Sequence, residues 1–235
     1  MKTYGVRPLF DPESSTWTYV LADRDSGKAV IIDPVLEKVE RDLNLLKEMD
    51  LKLVHILETH IHADHITGAA ALKDETRAPI GYGAANKVNG GDRFLADGDE
   101  VRFGASLVKA IPTPGHTSGC TSYYTGDTVF TGDALLIRGC GRTDFQEGSP
   151  KKLFESVRTR LFTLPEATRV CPAHDYKGMI FSTIGEEKKF NPRLSLDHDL
   201  KQFTEIMDNL NLPYPKKMDI AVPANLNAGR LDHTA

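Results

Sequence analysis

The segment Thr59-His60-Ile61-His62-Ala63-Asp64-His65 gathers three of the chain's eight histidines and an aspartate into six consecutive positions. Imidazole and carboxylate are the side chains that bind divalent transition metals, and residues at i and i+2 of a loop can turn toward one point. Asp64 alone would read as a helix N-cap, and a single histidine as a surface residue. Three histidines beside an aspartate in one loop point instead to a metal site. Three further places add to it: His116 in Pro114-Gly115-His116-Thr117, Asp133 in Thr131-Gly132-Asp133, and His174 in Pro172-Ala173-His174-Asp175. Each is weak alone, since Asp133 suits a turn and His174 a hydrogen-bonded surface position. Each also follows a segment of strand character, so all of them can converge on one rim of a sheet.

The elements that must carry these residues follow from patterning. Thr16–Ala22 and Ala29–Asp33 read as strands joined at Asp25-Ser26-Gly27, a hairpin signal. Leu36, Val39, Leu43 and Leu46 recur at helical spacing, which predicts an amphipathic helix over 35–49. Leu51–Leu57 is mostly apolar and reads as a strand buried on both faces. A short helix is expected over 66–73, with Asp64 and His65 at its start. Further strands are expected over 79–82, 101–103, 106–111, 121–125, 128–131 and 169–172. Ser149 and Pro150 signal the start of a helix running to Leu161, and 199–210 has the spacing of a last amphipathic helix. Interleaved helices and strands, with most strands in the middle, imply sheets covered by helices, an α/β class.

Composition excludes several roles. The 235 residues are 40% hydrophobic and 26% charged, which rules out disorder and is enough chain for a sizeable core. The net charge of −4 lacks the basic excess of a nucleic-acid-binding domain and gives no attraction to an anionic membrane surface. No apolar run approaches the roughly 18 residues of a membrane span, and the first residues show no apolar secretory core. The three cysteines, Cys120, Cys140 and Cys171, form no CxxC and read as buried thiols in a reducing compartment. A cytoplasmic protein is expected, with a mature organellar form left open.

The ordered set Thr59-His60-x-His62-x-Asp64-His65, His116, Asp133, His174 resembles the metal signature of the metallo-β-lactamase fold. That resemblance covers nearly the whole chain and implies an αββα sandwich with the metal site at one edge between two sheets. It implies a single domain over 1–235 with a C-terminal extension from about residue 190 and no rhodanese-type domain. Within the superfamily, the stretch from Phe130 through Gly148, the run Pro172-Ala173-His174-Asp175-Tyr176 and the tripeptide Asn191-Pro192-Arg193 are similar to the persulfide dioxygenases. So are Asn209–Pro213 and Ala221–Asn225 in the tail.

Seven candidate ligands would also suit two metals, and ligand count does not choose between the occupancies. The resemblance implies a single Fe(II) per chain held by His60, His116 and Asp133, two imidazoles and a carboxylate that leave coordination sites open. His62, Asp64, His65 and His174 would then orient ligands and bound water or substrate, and become ligands only in a dinuclear site. The implied reaction converts glutathione persulfide, O₂ and water to glutathione and sulfite. Tyr176 and Arg193 occupy family positions that hold the substrate, the guanidinium suiting a carboxylate; without the resemblance they read as a core-edge tyrosine and a solvated arginine. Arg138, Arg142, Asp144 and Asp175 are expected to support the site, the first three as a buried Arg–Asp network behind Asp133. Cys140 reads as a structural thiol. The rival is a glyoxalase II-like dinuclear hydrolase of glutathione thioesters, distinguished by metal stoichiometry and O₂ uptake. A non-enzymatic binding protein on the same fold would require lost ligands, and none is lost. A homodimer is expected by family analogy alone.

Overall fold

The structure is a computed structural model and describes residues 4–231. The first sheet is formed by β1 (Tyr4–Asp11), β2 (Thr16–Asp23), β3 (Lys28–Ile32), β4 (Lys52–Leu57), β5 (Ile80–Gly83) and β6 (Arg93–Leu95), in that spatial order. Strands β1 to β3 pair antiparallel, and β3 to β6 parallel. Between them lie a 3₁₀ turn at Leu36–Lys38, α1 (Val39–Glu48) and α2 (Ala69–Thr76). The second sheet contains β7 (Glu100–Phe103), β8 (Ser106–Pro112), β9 (Thr121–Tyr124), β10 (Thr128–Gly132), β11 (Arg169–Pro172) and β12 (Ser182–Thr183), again in consecutive spatial order. Its helices are α3 (Pro150–Ser156), α4 (Ile184–Phe190) and α5 (Leu200–Asp208), while α6 (Met218–Asn225) follows them in the chain.

The layering is visible in one strand. In β3, Val30 and Ile32 join Tyr19, Leu21, Leu57, Phe103, Val108 and Phe130 in a core between the two sheets. Ala29 and Ile31 point the other way and pack with Leu46, Ala69 and Leu72 beneath α1 and α2. The alternation of strand side chains therefore feeds two cores at once. On the far side, Val129 and Val170 pack with Leu153, Ile184, Phe203 and Met207 of α3, α4 and α5. The four layers form the expected αββα sandwich.

Several boundaries differ from the sequence reading. The helix expected over 35–49 is split into the 3₁₀ turn and α1, and the one ending at Leu161 finishes as a π-helical turn over Val157–Leu161. Ser149 does cap α3, its Oγ accepting from Lys152 N, with Pro150 in the first turn. Strands β1, β6 and β12 and helices α4 and α6 were not expected. β1 contains Pro8 and is a sheet edge, where a missing N–H is tolerated. Asp64 and His65 do not begin α2, which starts at Ala69. Tertiary bonds hold the intervening chain out of a helix: Leu36 N donates to the Ile66 carbonyl, Thr67 bridges Val35, and Thr67 N donates to Asn225 Oδ1.

Candidate metal centre

Four strand ends deliver the metal-capable residues to one edge of the sandwich. His60 follows β4, His116 follows β8, Asp133 follows β10 directly, and His174 follows β11. His60, His116 and Asp133 each present a ligand atom, all within 4.8 Å of one another. The His60 and His116 rings lie 4.9 Å apart edge to face, and His116 Nε2 is 3.6 Å from Asp133 Oδ2. His62, Asp64 and His65 form a second group on the same criterion, and Asp33, Glu58 and His62 a third. His174 Nε2 links the first two, 3.5 Å from Asp64 Oδ1 and 3.8 Å from Asp133 Oδ1.

Hydrogen bonds aim each imidazole. Asp33 accepts from Thr59 N at 2.7 Å and from Thr59 Oγ1 at 2.8 Å. With its proton so engaged, Thr59 Oγ1 accepts from His60 Nδ1 at 2.9 Å, which assigns the lone pair of His60 to Nε2. His116 Nδ1 donates to the Arg142 carbonyl at 2.6 Å, and His174 Nδ1 to the Ser15 carbonyl at 3.2 Å. His60 and His116 therefore hold Nε2 free as a ligand nitrogen, while His174 Nε2 faces Asp64 and Asp133, whose charges raise its pKa to about 9 against the cost of burial. Gly132 is required at the end of β10, just before Asp133: its φ is +53°, and a Cβ there would meet Thr59 Oγ1 at 2.5 Å. At Gly141 a Cβ would lie 2.8 Å from the His116 ring.

The loop itself is clamped from the distant C-terminal helix. Asn225 Nδ2 donates to the carbonyls of His62 and His65, at 2.8 and 2.9 Å, while its Oδ1 accepts from Thr67 N. Gln146 Nε2 donates to the Ile61 carbonyl. His62 Nε2 turns into the interior, 3.2 Å from Asp33 Oδ1 and 3.5 Å from Glu58 Oε2. Burial lowers the proton affinity of His62, but Asp33 and Glu58 outweigh it and hold the imidazole well above its ordinary pKa. Glu58 is itself pushed up to about 7 by burial. Burial and neighbouring imidazoles hold His60 well below its usual pKa, so it is neutral and fit to donate a lone pair.

The donor set fits a cation. Asp133 Oδ1 and His65 Nε2 are buried with no hydrogen-bond partner, a costly state that a bound metal relieves. Two imidazoles and one carboxylate suit a divalent transition metal and leave sites for other ligands.

A cavity of about 550 Å³ opens over this cluster. Its wall includes Arg138 to Arg142, Tyr176, Arg193 and the segment 212–216. The expected buried Arg–Asp network is not what the structure forms. Arg142 grips Asp144 bidentately, at 2.6 and 2.7 Å, with the Asp144 side chain half exposed; its support of the site is through its carbonyl on His116. Arg138 turns away to Glu186 and Glu187. Glu187, fully buried, also accepts from Arg138 N, Ser182 Oγ and Asn191 Nδ2. The charge of Arg138 is satisfied there, by two carboxylates. Asn191 ties this hub to the site, donating to the Gly139 carbonyl and accepting from Arg193 N. Arg193 Nη1 donates to the Cys140 carbonyl. Tyr176 is 74% exposed and stacks on His174 at 6.1 Å, a cavity-mouth residue and not a core-edge one. Asp175 accepts from Lys177 N and Met179 N, closing the turn after His174. Cys140 is buried and its thiol pushed up to about 11 by burial, which suits a structural role.

Sequence reasoning assigned no role to Asp33, Glu58, Gln146, Glu187, Asn191 or Asn225. The signal for Asp33 and Glu58 was available: each is an acid at the end of an otherwise apolar strand. Asn225 lies 160 positions from the His65 carbonyl it holds, and the family likeness of the run Ala221–Asn225 does not reveal that contact.

An αββα sandwich with this histidine-rich edge defines the metallo-beta-lactamase superfamily, whose profile matches residues 11–174. The human protein named "Persulfide dioxygenase ETHE1, mitochondrial" is 47% identical over 234 residues, covering 98% of this chain and 91% of that protein. The crystal structure of ETHE1 from Myxococcus xanthus superposes with a TM-score of 0.94 at 50% identity, covering 96% of this chain and all of that one. A Dictyostelium discoideum protein named "Glyoxylase B2" is 31% identical, covering 93% of this chain and 89% of its own length. The chain belongs to the persulfide dioxygenase family of the metallo-β-lactamase superfamily.

Proposed function

We propose that this protein is a persulfide dioxygenase that oxidises glutathione persulfide with O₂ and water to glutathione and sulfite. The observation that supports the reading is the compact group of His60, His116 and Asp133 in a chain 47% identical, over 98% of its length, to a persulfide dioxygenase. A set of two imidazoles and one carboxylate is the donor set of an open non-haem Fe(II) site. Bound there, the iron supplies the redox chemistry that joins O₂ to sulfur.

The chain's own residues hold and orient. The Asp33–Thr59–His60 chain and the Arg142 carbonyl set the tautomers of the two ligand histidines. His174 lies between Asp64 and Asp133, where it and Asp64 can hydrogen-bond to water or substrate at the open positions. Arg193 and Tyr176 at the cavity wall would hold the peptide part, so that the terminal sulfur reaches the cluster. The three buried free cysteines fit a reducing compartment, either cytoplasm or organelle matrix, and among the described residues no helix is long and apolar enough to cross a membrane. A homodimer remains the family expectation.

The test is metal analysis of anaerobically purified protein combined with O₂ consumption on glutathione persulfide. About one iron per chain and O₂ uptake coupled to sulfite release are expected. Two tightly held zinc ions, thioester hydrolysis and no O₂ uptake would establish the dinuclear hydrolase instead.

A further inference from the structure

The cavity over the cluster has an uneven charge economy. Its acids are already engaged: Asp64 and Asp133 belong to the cluster, and Asp175 accepts two backbone N–H groups. Of its cations, Arg138 pairs with Glu186 and Glu187, and Arg142 with Asp144. Lys177, Arg193 and Lys216 also line the cavity, and among the described residues none of them has an ion pair with a carboxylate. The neighbouring Lys217, by contrast, is paired with Glu13 and Glu37 outside the cavity.

Both lysines sit on segments that the structure holds in place. Lys177 lies in the turn that Asp175 closes, one residue beyond Tyr176 stacked on His174. Lys216 ends the segment 212–216, which Arg142 ties down through the Pro213 carbonyl at 2.7 Å. Tyr214 of that segment packs edge-on to Phe145 at 5.5 Å and donates its hydroxyl to Asp219. Two lysines without an ion pair among the described residues thus line the cavity from separate parts of the chain, in addition to Arg193.

A monocarboxylate carrier would be served by Arg193 alone. Glutathione has two carboxylates, and its persulfide adds a third negative charge that travels to the cluster. We propose that Lys177 and Lys216 are specificity-determining residues that take up the carboxylate Arg193 does not hold, selecting a dicarboxylate thiol carrier over a neutral or monocarboxylate one. This rests on the persulfide dioxygenase reading for the reaction, but not for the recognition itself, since the carboxylates are shared by persulfide and product thiol.

Calorimetric binding of glutathione and of glutathione diethyl ester to the intact protein tests this, comparing wild type with the Lys177→Ala/Lys216→Ala double variant. Exposed ion pairs are individually weak, so the preference for glutathione over the diester should shrink by about three- to tenfold in the double variant. The salt dependence of glutathione binding should flatten with it, and Lys177→Glu/Lys216→Glu should reduce the preference further. Both lysines are exposed, so circular dichroism and iron content should confirm an intact fold. An unchanged preference in the double variant, or a wild type that does not distinguish the acid from the diester, would overturn the proposal. Absence of O₂ uptake on glutathione persulfide by the wild type would sink the dioxygenase reading separately, and the calorimetric ratio would still decide the role of the lysines.

Discussion

At the scale of single residues, the site divides into groups that would bind the metal and groups that would aim the substrate, and the two should separate in experiment. Asp133→Ala removes the one carboxylate of the triad, and iron content should fall from about one per chain to near zero, as read by elemental analysis. Alanine at Asp64, His65 or His174 should reduce O₂ uptake more than it reduces iron, because these side chains face the cluster without completing the triad. A structure of protein from cells with a second native metal on those three residues would contradict that outcome. Arg193→Ala removes the cavity cation proposed to hold a substrate carboxylate. Hydrogen bonds to charged groups are worth about 1.5–3 kcal/mol, so kcat/KM should drop about tenfold to a hundredfold with iron unchanged. Arg193→Lys should recover part of it, since an ammonium cannot reproduce the guanidinium fork. Wild-type kcat/KM in Arg193→Ala would place substrate recognition elsewhere.

At the scale of elements, the site depends on segments that lie far from it in sequence. α6 contributes no candidate ligand, yet Asn225 at its end satisfies three backbone groups of the metal loop. Asn225→Ala leaves those groups buried and unpaired, at about 1–3 kcal/mol for each one that finds no water. The melting temperature and the iron content should both fall, unlike the Arg193 variants, in which only kinetics change. α4 acts similarly through Glu187 and Asn191, which tie the 138–141 backbone to the segment carrying Arg193. α1 carries a different liability. Asp42 is fully buried there, and burial pushes its carboxyl up to about 6 despite the ion pair with Arg41. With the folded pKa above the unfolded one, the carboxyl's contribution is complete below about pH 4 and is lost as pH rises through about 6. Asp42→Asn should therefore raise the urea midpoint at pH 8, by up to about 3 kcal/mol in stability, with no gain at pH 4. An equal gain at both pH values would show that burial of the charge is not the cause.

At the scale of the whole molecule, the sandwich is what turns scattered polar residues into a centre. The parallel strands β4, β10 and β11 and the end of β8 all finish at the same edge, so the residues that follow them meet there. Much of this was legible without coordinates. His60, His116, Asp133 and His174 each stand just past an apolar strand, and strand ends sharing a sheet rim are a local consequence of βα patterning. The buried strands, the Ser149 cap and the histidine-rich loop were readable because the physics that makes them is local: alternation, capping and ligand chemistry reside in neighbouring residues. Less was legible where distant chain decides. The start of the helix expected over 66–73 was displaced to Ala69 by bonds from Val35, Leu36 and Asn225, and the Arg–Asp network expected behind Asp133 dissolved because Arg138 found Glu186 and Glu187, 48 and 49 positions away. His62 is the clearest case. Its type and spacing make it equal to His60 as a candidate ligand, and only the fold brings Asp33 and Glu58 to its Nε2. The sequence by itself determined which chemistry the chain can perform, because ligand types and strand ends are local properties. Which partners each of these side chains meets was decided by tertiary structure, because hydrogen-bond partners are chosen by proximity in space.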